Sequence, residues 1–239
     1  MKTRQLGPLT VRIAGGPDRE GGGDGPVICL LHGFGASGED LVPLHRVFRV
    51  APDVRWVFPA APLELPPMMP GMESRAWWMI DMAAVEQAMR TGRHRDLAGE
   101  VPEGLAEARR LLLETLEAMD DVLHPSRLVL GGFSQGAMLS LDVALHTERA
   151  LAGLVQLSGT LVAKDLWAPR VESRAGLPVF QSHGQLDPLL PFAGAEMLRD
   201  LLAAGGLDVE FTPFRGAHEI PPPVLEGLAG FLSRVLPDG

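Results

Sequence analysis

The chain has 239 residues, 46% of them hydrophobic and 21% charged, and its 21 Lys+Arg against 30 Asp+Glu leave a formal net charge of −9. That length suits one domain, residues 1–239, with a large core, while the acidic balance argues against nucleic acid and against tight docking on an anionic membrane. No run approaches the ~18 apolar residues of a membrane span, Met1 to Ile13 has no apolar secretory core, and the single cysteine, Cys29, allows no intrachain disulfide, so a cytoplasmic protein without stable membrane insertion is expected.

Thr10 to Ala14 reads as a first strand ended by Gly15, Gly16 and Pro17, and Gly21 to Gly25 as a surface hairpin loop. Val27 to Leu31 is a continuous apolar run, as a strand buried on both faces should be, with Cys29 as a core thiol rather than a nucleophile. His32, Gly33 and Phe34 follow as a turn that presents backbone N–H groups. Gly33, Gly35 and Gly38 fit the spacing of a dinucleotide loop, but no acidic residue closes a second strand near Val57, and no Gly-Lys-Ser/Thr marks a phosphate loop. Ser37 is placed to cap a helix over about 39 to 48, and Val54 to Phe58 reads as the next strand. Pro59 to Gly71 is too broken by proline for regular structure. Across 63 to 82, Met68, Met69, Met72, Trp77, Trp78, Met79 and Met82 form an adaptable apolar set suited to a ligand; the competing reading has Trp77 and Trp78 packing on the core. Arg90, Arg93, His94 and Arg95 read as a solvated basic cluster. Pro102 opens a helix with Leu105, Ala108, Leu112, Leu116 and Met119 on one stripe.

Leu128, Val129 and Leu130 form a strand, and Ala137, Met138, Leu139, Leu141 and Ala144 a helix. Between them Gly132, Phe133, Ser134, Gln135 and Gly136 match G-x-S-x-G, the sharp turn that lifts a serine hydroxyl into a cleft. A serine needs a base and an orienting acid, in the order Ser, Asp or Glu, His for this motif. After Leu151 to Leu157 comes a strand over 177 to 182, then Asp187; after Val209 to Phe214 comes His218. Each follows a strand, and the carboxyl ends of parallel strands are where crevices form. His183 precedes Asp187 and reads as structural; Asp208 lies at a strand entrance. Oxyanion donors are expected from the backbone N–H groups of Phe34 and Gln135. The last helices are expected at Ala193 to Ala203 and Pro222 to Val235. Strand and helix alternate, giving an α/β class with a mostly parallel central sheet covered on both faces.

With these residues in hand, the chain resembles the phospholipase/carboxylesterase family of α/β-hydrolases, which includes acyl-protein thioesterases. The resemblance rests on Leu30 to Asp40, Phe58 to Pro62, Ala76 to Trp78, Gly131 to Met138, Leu157 to Gly159, Ser182 to Pro191 and Gly216 to Ile220. It implies an α/β-hydrolase fold with Ser134 as nucleophile, Asp187 as acid and His218 as base, as the motif order does. Family members often carry His where Ala60 stands, and an aromatic followed by Asp where Trp78 and Met79 stand; both departures concern the acyl site. The expectation is a serine hydrolase of small-molecule acyl esters or thioesters working through an acyl-enzyme. No cofactor or metal is expected, and the 63–82 segment is an acyl-binding loop with Met68, Trp77 and Trp78 in contact with substrate. A lysophospholipase-like lipid hydrolase is an alternative, a peptidase or lipase is the nearest rival within the enzyme reading, and a noncatalytic ligand-binding module on the same fold is the more distant one. An apolar surface near the acyl loop leaves room for a homodimer.

Overall fold

The computed structural model describes residues 1–67, 71, 73–92 and 96–237. Among these, eight strands form one sheet in the order β1, β2, β4, β3, β7, β8, β9, β10. The strands are β1 (Lys2–Leu6), β2 (Leu9–Gly15), β3 (Val27–Leu31), β4 (Arg55–Pro59), β7 (Leu128–Phe133), β8 (Gly153–Leu157), β9 (Pro178–Gly184) and β10 (Asp208–Phe214). All neighbours from β4 to β10 pair in parallel, and only β1 with β2 and β2 with β4 are antiparallel. A separate two-stranded ribbon pairs β5 (Leu63–Glu64) with β6 (Arg75–Ala76).

The side chains of β3 show why the sheet is covered twice. Val27, Cys29 and Leu31 enter one apolar cluster, and Ile28 and Leu30 the other, because successive side chains of a strand point to opposite faces. The first cluster holds α3 (Leu105–Leu123), α4 (Gln135–Leu145), α5 (Lys164–Val171) and α6 (Phe192–Ala204). The second holds Val224, Leu228 and Phe231 of α7 (Pro222–Val235), beside the stacked rings of Phe48, Trp56 and Phe58. The expected stripe on α3 is fully buried.

Several expectations need correction. Gly21 to Gly25 is no hairpin loop, since β2 and β3 are separated in the sheet by β4. Arg55 holds this loop instead, donating to the carbonyls of Gly23 at 2.7 Å and Gly25, and also to Leu123 at the end of α3 at 2.6 Å. The helix expected over 39 to 48 shrinks to α1 (Leu44–Val47), because Pro43 has no N–H to donate within a helix. The broken stretch from Pro59 contains β5. Strand β1, helix α5 and helix α2 (Met82–Thr91) were not expected.

Candidate active site

The chain leaves β3 toward β4 on one side and then crosses to β7 on the other, so the loops after β3 and β7 sit together at the carboxyl edge. Ser134 follows β7 and turns the chain into α4 with φ 55° and ψ −118°. Such a conformation costs a residue with a Cβ about 1–3 kcal/mol. It is held by the Ser134 N–H, which donates to the Leu157 carbonyl at 2.8 Å, and by the Ser134 carbonyl, which accepts from Ala137 at 3.0 Å and Met138 at 3.1 Å. A Cβ on Gly132 would stand 2.6 Å from the Leu31 carbonyl oxygen, and one on Gly136 2.2 Å from it. Both glycines are therefore steric requirements of the turn. Ser134 itself is part-exposed.

Asp187 and His218 come from the loops after β9 and β10. Gly184 and Phe214 are register partners at the strand ends. Beyond them the Gln185 N–H donates to Phe214 at 2.8 Å and the Leu186 N–H to Gly216 at 2.9 Å, which sews the two loops together. Nδ1 of His218 lies 2.6 Å from Oδ2 of Asp187. An ionised carboxylate only accepts, so Nδ1 donates the proton of this hydrogen bond. The other carboxylate oxygen accepts from the N–H groups of Leu189 at 2.8 Å and Leu190 at 3.0 Å. Burial works to raise the Asp187 pKa, but the hydrogen bond and charge of His218 with those two N–H groups outweigh it and hold the carboxyl below its ordinary range. The His218 ring packs on Phe133, centroids 4.7 Å apart, beside the residue that precedes Ser134.

His183, the competing histidine, touches the same carboxylate. Its Nε2 is 3.3 Å from Oδ2 of Asp187 and 2.8 Å from the Leu190 carbonyl, and its side chain is fully buried. Burial pulls its pKa down. It therefore braces the Asp187 carboxylate from inside the protein. Asp208 is exposed at the first position of β10, at the opposite end of the sheet from the site. Cys29 is fully buried, and burial pushes its thiol up to about 12, so it carries no thiolate.

The loop after β3 lies against the Ser134 turn. Leu31 and Gly132 are register partners, and a Cβ on Gly33 would stand 3.3 Å from the Ser134 Cβ. The N–H groups of Phe34 and Gln135 donate to no backbone carbonyl among the described residues. The side chain of His32, which carried no expectation of its own, shapes this loop. Its Nδ1 donates to the Gly33 carbonyl at 2.8 Å, its Nε2 accepts from Ala61 at 3.0 Å, and its ring lies 5.5 Å from that of Trp77. Burial pulls its pKa down to about 4, which keeps the ring neutral with the proton on Nδ1. Its only signal in the sequence is its place at the head of the turn.

The expected substrate contacts stand differently. Trp77 and Trp78 are 2% and 3% exposed and belong to the core. The indole of Trp77 donates to the His32 carbonyl at 2.9 Å, and its backbone N–H donates to Oε1 of Gln135. The competing reading of these two residues, packing on the core, describes their position. Met68 lies outside the described residues, as do Met69, Met72, Arg93, His94 and Arg95. Among the described residues of the 63–82 segment, the exposed large apolar side chains are Leu63, Met79 and Met82.

A mostly parallel sheet, helices on both faces and a strained serine between strand and helix define the α/β-hydrolase fold. Within it, the family sequence model described as Phospholipase/Carboxylesterase matches residues 22–236, and the chain belongs to that family of hydrolases. Among curated relatives, the chain is 30% identical over 226 residues to acyl-protein thioesterase 1 of Emericella nidulans, covering 88% of this chain and 90% of the relative. It is 31% identical over 220 residues to acyl-protein thioesterase 1 of Kluyveromyces lactis, covering 88% and 92%. Among solved structures, esterase PE8 superposes with TM-score 0.75 and 26% identity, over 99% of this chain and all of the other. Zea mays acyl-protein thioesterase 2 shares the fold with TM-score 0.70 and 21% identity, covering 95% and 98%.

Proposed function

We propose that the protein hydrolyses carboxylic esters or thioesters through an acyl-enzyme on Ser134. The observation that carries the reading is the 2.6 Å contact between Nδ1 of His218 and Asp187, on an imidazole packed against the neighbour of a strained serine. Asp187 holds the tautomer that leaves Nε2 free to take a proton. Ser134 Oγ adds to the acyl carbon and its proton passes to His218, while the carbonyl oxygen becomes an anion facing the N–H groups of Phe34 and Gln135. Collapse breaks the bond to the alcohol or thiol, which leaves with the proton from His218. Water then attacks the acyl-enzyme with the same base, releasing the carboxylic acid and the free serine.

Both leaving groups have support. The curated relatives carry the name acyl-protein thioesterase, and the structural neighbour at 26% identity is an esterase. With Trp77 and Trp78 in the core, Leu63, Met79 and Met82 are the large apolar side chains that the described part of the 63–82 segment exposes for acyl contact. The test is a series of aryl esters and acyl thioesters of increasing chain length, run on the protein and on Ser134→Ala. Turnover of one or both series is expected, with a loss on the order of 10⁶-fold in the variant. Near-native turnover by Ser134→Ala refutes the nucleophile. No turnover of either series by the native protein favours a ligand-binding module.

A further inference from the structure

We propose that the side-chain amide of Gln135 is a positioning group that sets the two halves of the oxyanion hole in register; this rests on the Ser134 reading above. The backbone N–H of Gln135 would be one donor to the oxyanion, and that role needs no particular side chain. Yet the side chain is 3% exposed and fully engaged. Its Oε1 accepts from the Trp77 N–H at 2.9 Å and its Nε2 donates to the Trp78 carbonyl at 2.9 Å. The amide thus binds the bend at residues 77–78 through both its oxygen and its nitrogen, satisfying two backbone groups at once.

The same short segment holds the other donor loop. The Arg75 N–H donates to Ala36 at 3.0 Å, and the Gly35 N–H donates back to Arg75 at 2.8 Å. The Ser74 hydroxyl donates to Gly35 at 2.8 Å and the Trp77 indole to His32 at 2.9 Å. Residues 74 to 78 are therefore tied at one end to the turn carrying the Phe34 N–H, and at the other to the residue carrying the second N–H. Without the Gln135 amide this bridge loses its anchor on the nucleophile side. The two donors would then be joined through the β3–β7 ladder behind them and the packing of Gly33 on Ser134. Oxyanion donors act through preset geometry, and a shift of about 1 Å is enough to cost on the order of 10²-fold in rate.

The test uses the full chain with Gln135→Met, which keeps length but neither accepts nor donates, and Gln135→Glu, which loses the donor. Trp77→Phe removes one of the ties to the other donor loop, the indole bond to His32, while keeping an aromatic ring in the core. Active sites are counted by fluorophosphonate labelling. The readouts per active site are kcat and KM on an aryl ester, the pH profile, and the affinity of an alkyl trifluoromethyl ketone. Ser134 Oγ adds to the ketone carbon as its proton passes to His218, and the carbonyl π pair moves to the oxygen, which becomes an anion in the hole. Gln135→Met is expected to lose roughly ten- to a hundredfold in kcat, with a matching loss of ketone affinity. KM and the pH profile should hardly move, since neither acyl contact nor triad is touched. Gln135→Glu and Trp77→Phe should lose in the same direction, and Gln135→Met with Trp77→Phe should lose less than the product of the singles. Should Gln135→Met not fold, the other two variants carry the same expectation. Variants with native kcat and ketone affinity per labelled site, whatever their melting temperature, overturn this role alone. Loss confined to KM does so as well. Failure of the native protein to label at Ser134 overturns this role together with the reading it rests on.

Discussion

His32 and His218 stand at the same edge of the sheet, and their surroundings give them different work. His218 is part-exposed and faces a carboxylate; His32 is buried, between a carbonyl and an amide N–H. Burial holds His32 at about 4 in the folded protein against 6.5 for the free side chain. Between those values the unfolded chain binds the extra proton, so stability is full above about pH 6.5 and falls as the pH drops toward 4. The fall from this group is on the order of 3 kcal/mol, and buried His183 acts in the same direction. Melting temperature followed from pH 7 to 4 should show this decline, and His32→Gln should flatten it; an unchanged slope in the variant contradicts the assignment. The sequence displays Ser134, Asp187 and His218 because motif and chain order name them. It hides the His32 ring and the Gln135 amide, whose partners are backbone groups 29 and 58 residues away.

Among the elements, the turn between β7 and α4 is the most constrained. Every residue of α4 is buried, so the helix cannot shift to relieve a clash at its start. Gly136→Ala would put a methyl group 2.2 Å from the Leu31 carbonyl oxygen. It should therefore cost ~3 kcal/mol or more, read as a lower urea midpoint, with kcat falling as the loop after β3 is pushed from Ser134. Native stability in Gly136→Ala would show that the strands part more freely than their register implies. Elements with a strong apolar signal were legible: β3 and β7 as continuous apolar strands, α3 by its stripe, and α7 with the same bounds in sequence and structure. Those without it were not. Four of five residues in β1 are exposed and polar, α2 buries no residue, and α5 contains Pro169. Length misled at α1, where a cap at Ser37 suggested a longer helix and Pro43 delays its start to Leu44.

On the scale of the whole molecule, alternation of strand and helix was enough to give the mostly parallel sheet and its two covered faces. The tie between its parts was not legible, because an arginine in sequence looks like surface charge. Arg55 is buried, and joins β4 to the glycine loop and to the end of α3 through three carbonyls. A cation also suits a helix C-terminus. Arg55→Met should lower stability by ~3 kcal/mol in urea titration, from carbonyls left buried without a donor, with kcat unchanged in the folded fraction; a native midpoint contradicts the role. The larger consequence of the topology is that loops after β3, β7, β9 and β10 meet at one edge, which is the physical basis of the reactivity proposed for Ser134. Fluorophosphonate labelling followed by peptide mapping tests it most directly. One adduct per chain is expected, on Ser134, absent from Ser134→Ala and greatly slowed in His218→Ala. An unlabelled Ser134 in folded protein, or an adduct on another residue, would contradict it.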